Sequence, residues 1–359
     1  MIVPFLICLN GCTLFHFFNP AAQNKVDYYA SLKGWVQIGQ TFTNDVYMGS
    51  EFSLAFDSRE IPYLFFTTID NFDTLYRYNG EWVVENEFTN TDYKYKAVLR
   101  FDHDVPFVAV IDSMYNLGVY DYSSDYPHLL STYISPNVNS FDFNISPGGR
   151  MGVNFETNNV TDFFINVRLW NGSAWVESAS FSQYQNTGTF DNVYFDFYGE
   201  SAYSFMCFNQ YTYVYNENTV FSINYSPLFA KITDSKLFSV YSTMDGNVWY
   251  YIANMSSPGF STNDVILLSQ NSYLLMSHPT FTVTGTSPYK AYCLLSDGTG
   301  LTNFVAEINE DNTVTFLDEI PVHGTYNFGL YATPYGALYL VAAQTGAGDE
   351  SLQVFRYFE

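Results

Sequence analysis

The chain has 359 residues, of which 47% are apolar, 20% aromatic and only 14% charged. This composition excludes a disordered chain, and its high Tyr and Phe content favours β-strands over helices. The formal net charge of −23, with only 13 Lys and Arg residues, excludes nucleic acid as a partner and disfavours direct docking on anionic lipid. We therefore predict an all-β protein whose acidity keeps a Tyr-rich surface in solution.

Residues 1–22 are predicted to direct export from the cytoplasm. Residues 1–18 are apolar but interrupted by Pro4, Asn10 and His16, which makes them too short and too polar at their centre for a membrane span. The segment 9–12 (Leu-Asn-Gly-Cys) resembles a bacterial lipobox, which implies acylation of Cys12. The alternatives are ordinary cleavage near Ala22 or retention of the segment. The first two place the protein at the cell surface or outside the cell, with membrane contact only through a lipid anchor.

Export makes N-glycosylation relevant. The chain is rich in Asn, Ser and Thr, so about five N-x-S/T sequons are expected from its composition alone. The candidate acceptors are Asn144, Asn159, Asn171, Asn224 and Asn254.

A repeating pattern begins at residues 52–83. An alternating strand ends in a turn at 57–60, a second strand covers 62–68, and a third covers 74–78. Asn79-Gly80 then predicts a tight hairpin leading into Trp82 at the start of a fourth strand.

The same pattern returns along the chain with an average period of about 46 residues, which is typical of four-stranded β-propeller blades. The longest gap predicts an insertion at 255–285. The seven copies lie near 52–83, 95–130, 141–178, 192–224, 228–254, 289–318 and 326–358.

The seventh copy contains only three predicted strands before the chain ends. A matching fourth strand lies at the other end of the sequence, at 34–39. We therefore predict a single domain over 23–359, a seven-bladed β-propeller in which the N-terminal strand completes the last blade.

Three segments, 35–39, 53–65 and 78–82, together follow W-x-x-V/I-G, SLAFDSxGxPYVAY and KYNGxxW patterns. This unit resembles the repeats of secreted bacterial propellers found in surface lipoproteins. The resemblance implies a propeller fold and a surface location, and it transfers no catalytic residue. Glu60 stands where the family has a turn glycine.

The repeated aspartates Asp57 and Asp102 are interpreted as turn residues whose carboxylates bind their own backbone, not as metal ligands. Trp82 and Trp175 occupy equivalent positions, which favours packing between blades over sugar stacking. His103, between Asp102 and Asp104, resembles an acid/base or metal cluster, but it coincides with a predicted turn.

Cys207 and Cys293 are predicted to be reduced and buried, because they fall in different blades. No zinc spacing, P-loop or nucleophile elbow occurs, so no catalytic, metal or cofactor-binding residue is assigned.

The leading hypothesis is a non-enzymatic extracellular or cell-surface propeller that binds a protein or glycan through loops on one face. One alternative is a structural subunit that assembles with copies of itself into an extracellular filament or layer, with residues 13–33 as the candidate contact. A further alternative is a carbohydrate-active enzyme, which needs only two carboxylates. The 36 acidic residues do not reveal such a pair by their spacing.

Overall fold

The computed structural model describes most of the chain after residue 31, and in these parts every regular element is a strand. They contain no helix with the length and apolarity needed to span a bilayer. The described residues are 32–43, 52–68, 72–89, 94–124, 126–158, 162–184, 190–208, 211–217, 219–223, 229–233, 236–242, 247–256, 259–269, 272–274, 281–284, 288–297, 302–322, 326–344 and 351–359.

The strands form seven antiparallel sheets, which we number blades 1 to 7 in chain order. Strands β1 (Gly34–Gln37) and β2 (Phe42–Thr43) come first. Blade 1 contains β3 (Ser53–Phe56), β4 (Pro62–Thr67), β5 (Phe72–Tyr78) and β6 (Trp82–Thr89). Blade 2 contains β7 (Lys94–Asp102), β8 (Val105–Asp112), β9 (Leu117–Asp121) and β10 (His128–Leu129). Blade 3 contains β11 (Val138–Ile145), β12 (Met151–Asn158), β13 (Asp162–Trp170) and β14 (Trp175–Tyr184).

The remaining blades follow the same plan. Blade 4 contains β15 (Phe190–Tyr198), β16 (Ser201–Phe208), β17 (Tyr211–Asn216) and β18 (Thr219–Ile223). Blade 5 contains β19 (Phe229–Thr233), β20 (Lys236–Ser242), β21 (Val248–Ser256) and β22 (Gly259–Ser269). Blade 6 contains β23 (Ser272–Leu274), β24 (Phe281–Val283), β25 (Lys290–Asp297), β26 (Asn303–Asn309) and β27 (Val314–Phe316). Blade 7 contains β28 (Tyr326–Ala332), β29 (Leu338–Gln344) and β30 (Ser351–Phe358).

The first strands of the blades surround a central axis. They contact one another in cyclic order, from β3 through β7, β11, β15, β19, β24 and β28 and back to β3. This closed ring of seven antiparallel sheets is a seven-bladed β-propeller, so the predicted fold is confirmed.

The ring is closed by strands from both ends of the chain. Strand β1 pairs with β30, with Gly34 opposite Phe358 and Gln37 opposite Phe355. Strand β2 adds a second contact with β30. The pairing predicted for 34–39 is therefore present, and it covers the edge that β30 would otherwise expose.

The hydrophobic core lies between the blades. Side chains alternate along each strand, so a central strand contacts both neighbouring blades. In β8, Val108 and Val110 pack toward blade 1, whereas Ala109 and Ile111 pack toward blade 3. Each of the seven interfaces between consecutive blades contains one apolar cluster, including the interface between blades 7 and 1.

The two tryptophans after the predicted hairpins support these interfaces. Trp82 is buried between blades 7 and 1, and its indole N–H donates a 3.1 Å hydrogen bond to the carbonyl of Ile38. Trp175 packs on Trp170 with ring centres 5.4 Å apart, against the apolar cluster of blades 2 and 3. The packing interpretation of both side chains is confirmed.

The segment 255–285 was predicted to be an insertion, and this prediction is wrong. Strand β22 pairs with β21 along most of its length and forms the fourth strand of blade 5. Strands β23 and β24 both pair with β25 and begin blade 6. The segment lacks the Asn-Gly and Trp signals that mark fourth strands in blades 1 and 3.

Replacing Trp35 tests the closing strand. Its indole N–H donates to the carbonyl of Asp318 at 3.0 Å, and its ring packs between blades 6 and 7. Trp35→Ala should lower the free energy of unfolding by about 3–5 kcal/mol, because it leaves a cavity at the closure. Val84→Ala, at an exposed position of β6, should change it by less than about 0.5 kcal/mol. Urea denaturation measures both, and equal midpoints would contradict the closure role.

The thiol of Cys293 should be inert in the folded protein. The residue is a free cysteine, fully buried between blades 5 and 6, and burial raises the pKa of its thiol well above the ordinary value. Iodoacetamide should therefore leave Cys293 unlabelled from pH 7 to pH 9 and label it in denaturant, because the thiolate is the reactive form. Peptide mass spectrometry reads the result. Labelling of the native protein that rises with pH would show the thiol to be accessible. The side chain of Cys207 lies outside the described residues.

Candidate functional site

The central channel holds a cavity of about 500 Å³ that is lined by residues from all seven blades. Phe and Tyr residues from six of the blades line it together with smaller apolar residues. Charged and amide side chains also line it: Asp57, Lys96, Arg100, Asp142, Asn144, Asp196 and Lys231. A concave cavity that combines apolar walls with polar groups is the usual form of a ligand site.

The repeat places three of these charges at one level of the channel. Arg100, Asp196 and Lys231 each lie two residues before the end of the first strand in blades 2, 4 and 5. Because side chains alternate along a strand, equal distance from the strand end gives the same face and depth. One repeat position therefore carries a positive charge in blades 2 and 5 and a negative charge in blade 4.

The carboxylates in the channel bind the backbone of the following blade. Asp142 accepts a hydrogen bond from the N–H of Phe195 at 2.9 Å, and Asp196 accepts one from the N–H of Ile232 at 2.7 Å. In the same way, the hydroxyl of Ser53 accepts a 2.9 Å hydrogen bond from the N–H of Leu99 in blade 2. These side chains satisfy N–H groups on first strands, since each such strand has a sheet neighbour on one side only.

The cations of the channel lie beside these carboxylates. A guanidinium nitrogen of Arg100 is 3.9 Å from Asp142, and the ammonium of Lys231 is 3.4 Å from Asp196. The amide of Asn144 also donates to Asp196, at 2.6 Å. Burial raises the pKa of Asp142, and the positive charge of Arg100 opposes that rise. Neighbouring cations therefore favour the ionised form of this carboxyl group.

Lys96 differs from the other two cations. Its ammonium lies 5.3 Å from the centre of the Phe141 ring, a cation–π arrangement. Among the residues that the structure describes, none places a carboxylate within 4 Å of it. Lys96 thus brings a positive charge to the channel and acts electrostatically on Asp142 without forming a contact ion pair among the described residues.

The cavity reaches the end of the propeller formed by the hairpin turns between first and second strands, and Asp57 and Pro334 of these turns line it. We call this end the turn face. Its described turns are residues 57–61, 103–104, 146–150, 199–200 and 333–337.

Asp57 holds its own turn together, as predicted from the sequence. One carboxylate oxygen accepts the N–H groups of Arg59 and Ile61 at 2.9 and 2.8 Å. The other oxygen pairs with the guanidinium of Arg59 at 2.7 Å. The same arrangement recurs at Asp112, which accepts two backbone N–H groups of its own turn.

Other turn-face carboxylates join neighbouring blades. Asp104 accepts hydrogen bonds from the N–H and hydroxyl of Ser58, which lower the pKa of this exposed carboxyl group. Glu200 accepts hydrogen bonds from Ser146 and Gly148 of blade 3. Some of the chain's carboxylates therefore connect neighbouring turns around the ring.

The cluster at His103 forms part of this turn framework. His103 is exposed, has a positive φ of 56°, and places Nδ1 at 2.7 Å from Asp102. Asp102 in turn abuts Gly149 of blade 3, where a Cβ atom would lie 2.9 Å from the carboxylate. The described residues contain no group of three His, Cys, Asp or Glu side chains placed to hold a metal ion.

Glu60 occupies a backbone position that suits glycine. Its φ angle is positive, at 59°, and Gly149 and Gly336 occupy the equivalent position of other turns with φ angles of 83° and 99°. A side chain in this conformation costs about 1–2 kcal/mol. The carboxylate of Glu60 accepts the N–H of Tyr335 at 3.1 Å, which offsets the cost by linking blades 7 and 1.

The structure places the predicted glycosylation positions in different environments. Asn144 is buried in the channel with its amide nitrogen bound to Asp196, so a glycan there would require loss of that bond. Asn171 is exposed in the turn after β13, and its side-chain oxygen accepts the N–H groups of Ser173 and Ala174. Asn254 is partly buried in β21. Two other predicted acceptors, Asn159 and Asn224, lie outside the described residues, as does the predicted lipidation site, Cys12.

Neither a protein-family model nor a curated protein sequence matches the chain. An oligogalacturonate lyase in complex with manganese matches with a TM-score of 0.60 and 11% identity, over 91% of this chain and 98% of that chain. A chain of the mitotic checkpoint complex matches with a TM-score of 0.56 and 12% identity, over 100% of both chains. The β-propeller domain of Cps50 (Swd1) from Myceliophteria thermophila matches with a TM-score of 0.54 and 9% identity, over 88% of this chain and 99% of that chain.

These identities are low, so the matches show the fold alone. The protein is a β-propeller by architecture, and its site must be interpreted from its own residues.

Replacing Asp57 tests whether its carboxylate is structural. Asp57→Ala should lower the free energy of unfolding by about 1–3 kcal/mol, because two backbone N–H groups lose their acceptor. Asp57→Asn should recover much of the loss, since its amide oxygen can accept both bonds. Glu85→Ala, which removes an exposed ion pair with Arg77, should cost less than about 1 kcal/mol. Denaturant titration compares the three variants. Unchanged stability in Asp57→Ala would contradict the turn role.

Proposed function

We propose that this chain is a non-enzymatic propeller at the cell surface or outside the cell, and that it binds a protein or glycan ligand at the turn face. The observation that supports binding best is the channel cavity, to which all seven blades contribute. It combines apolar and aromatic residues with charged and polar ones, as ligand sites do. Its concave shape favours a glycan over a flat protein surface.

The turn face also presents exposed aromatic side chains beside the cavity. Tyr335 follows the cavity-lining Pro334 and is 78% exposed. Tyr198, at the end of β15 in blade 4, is also exposed. Large rigid aromatic side chains contribute strongly to recognition at low entropic cost. Tyr335 is therefore the first residue to test for ligand contact.

The contacts of the two channel carboxylates, Asp142 and Asp196, favour a binding role over glycoside hydrolysis. A catalytic pair would have to exchange protons with a ligand or attack it. Asp142 and Asp196 each accept a backbone hydrogen bond from the following blade and lie beside a cation. Their contacts are those of groups that hold adjacent blades together.

A surface location is supported by the sequence alone. The lipobox-like segment ending at Cys12 and the resemblance to repeats of secreted bacterial propellers both favour export. The self-assembly alternative depends on residues 13–33, of which only 32 and 33 belong to the described part of the chain.

A glycan array with the full chain tests the proposal. Tyr335→Ala should weaken binding to the recognised glycan tenfold or more, the effect expected for a central aromatic contact. Its backbone N–H, which bonds to Glu60, remains in the variant. Tyr213→Ala is the matched control, because Tyr213 is exposed on the third strand of blade 4, away from the turns.

Each other outcome of the array contradicts a stated part of the proposal. If no glycan binds, the glycan ligand is wrong. If a glycan binds and both variants weaken it equally, the turn-face site is wrong. If no glycan binds and native mass spectrometry shows oligomers that grow as salt rises, the self-assembly alternative is favoured.

A further inference from the structure

Two of the hairpins contain the dipeptide Asn-Gly, in which asparagine is thermally labile. Asn79-Gly80 lies between β5 and β6 in blade 1, and Asn171-Gly172 lies between β13 and β14 in blade 3. The backbone nitrogen of the glycine can attack the side-chain carbonyl carbon of the asparagine, because glycine has no Cβ atom to block the approach. The third Asn-Gly of the chain, at 10–11, lies outside the described residues.

The reaction that follows this attack needs only water as a co-reactant. The glycine nitrogen forms a bond to the asparagine Cγ atom, the bond between Cγ and Nδ2 breaks, and ammonia leaves with the proton of the glycine amide. The product is a five-membered cyclic imide. Water then opens this ring at either carbonyl, which gives aspartate or isoaspartate. In isoaspartate the main chain runs through the former side chain and is one carbon atom longer.

The two turns are alike in the features that expose them to this attack. Asn79 and Asn171 are both exposed to solvent. Their glycines both have a positive φ, which is 110° at Gly80 and 95° at Gly172. Each asparagine also donates its backbone N–H to a carbonyl across its own turn, at 3.0 and 3.1 Å. Neither burial nor backbone hydrogen bonding therefore distinguishes the two sites.

The side chains of the two asparagines are held differently. The Oδ1 atom of Asn171 accepts hydrogen bonds from the N–H and the hydroxyl of Ser173, both at 3.0 Å, and from the N–H of Ala174 at 2.9 Å. Within the part of the chain that the structure describes, no hydrogen-bond partner holds the side-chain amide of Asn79. Ring closure requires the side chain to turn until Cγ faces the glycine nitrogen, so Asn171 must first give up bonds that Asn79 does not have.

From this contrast we infer that Asn79 is a modification site, at which the folded protein forms isoaspartate spontaneously, whereas the turn of blade 3 protects Asn171. The inference is independent of the proposed function, because the reaction involves no ligand.

The modified turn lies next to the closure of the ring. Trp82, two residues after Gly80, donates its indole N–H to the carbonyl of Ile38 at 3.1 Å. Its backbone N–H and carbonyl bond to the side chain of Gln40, at 3.1 and 2.9 Å. The length of a hairpin turn sets the register of its strands, so an extra chain atom at position 79 should displace Trp82 from these contacts. Isoaspartate should therefore weaken the closure.

Ageing of the purified full chain at physiological temperature and pH tests the inference. The protein is made in a host that attaches no N-glycans, because Asn171 is also a predicted glycan acceptor. Peptide mass spectrometry quantifies aspartate and isoaspartate at both positions. Native protein should convert Asn79 at least about fivefold faster than Asn171, the factor that corresponds to one net hydrogen bond. In denaturant the ratio should fall toward one, because both sites then differ little in structure.

Two variants identify the cause of the difference. Asn79→Gln should abolish the reaction in blade 1 and leave Asn171 unchanged, because the longer side chain would have to close a six-membered ring. Ser173→Ala removes one of the donors that hold Asn171, so it should speed conversion there and leave Asn79 unchanged.

Urea denaturation tests the effect on the closure. The isoaspartate form, separated by ion exchange on its added negative charge, should unfold at a lower urea midpoint than the fresh protein. Fresh Asn79→Asp is the matched control, because it carries the same charge without the extra chain atom, and it should keep the original midpoint.

Three outcomes would contradict parts of the inference. Equal conversion of the two sites in native protein would show that the side-chain bonds of Asn171 do not protect it. Conversion of Asn79 in denaturant but not in native protein would show that the folded turn prevents the reaction, and the site would be wrong. An unchanged midpoint for the isoaspartate form would overturn the predicted effect on the closure.

Discussion

The pairing of β1 with β30 is the contact on which the channel depends. Seven sheets can enclose an axis only if the last packs against the first, and here the last sheet needs a strand from the beginning of the chain. Ile38 and Phe42, which belong to this N-terminal segment, also supply part of the apolar cluster between blades 7 and 1. Closure and core burial are therefore provided by the same residues, and the cavity exists because both are in place.

Backbone chemistry explains why the channel is charged. The first strand of a blade has a sheet neighbour on only one side, so its other N–H groups need acceptors. Asp142 and Asp196 supply two of these acceptors. Arg100 lies 3.9 Å from Asp142 and Lys231 lies 3.4 Å from Asp196, so a cation accompanies each of these carboxylates. The charges of the channel therefore follow from the acceptors that its first strands need.

The sequence predicted the features with strong local signals. Asn79-Gly80 and Trp82 marked a hairpin and a fourth strand, and residues 34–39 completed the strand count. Strand β22 was missed because the sequence before it, Ser-Ser-Pro-Gly, lacks those signals. The channel residues could not be predicted as a group, since alternation identifies a strand face but not which neighbour it contacts. They come from different copies, and at one repeat position the residue is Arg100, Asp196 or Lys231.

The antiparallel closure also determines how the molecule responds to mechanical force. Gly34 and Phe358 are opposite each other at the same end of the β1–β30 pair, so the chain enters and leaves the propeller side by side. The hydrogen bonds of an antiparallel pair run across the strands, in the direction of this tension. Tension applied between the two ends therefore loads the bonds one after another, beginning with the pair Gly34 and Phe358. If the two strands were pulled from opposite ends, the pair would be sheared, and all of its hydrogen bonds would carry the load at the same time. Pulling at the ends therefore opens the ring at blade 7 first, while the strand pairs of the other six blades are still intact.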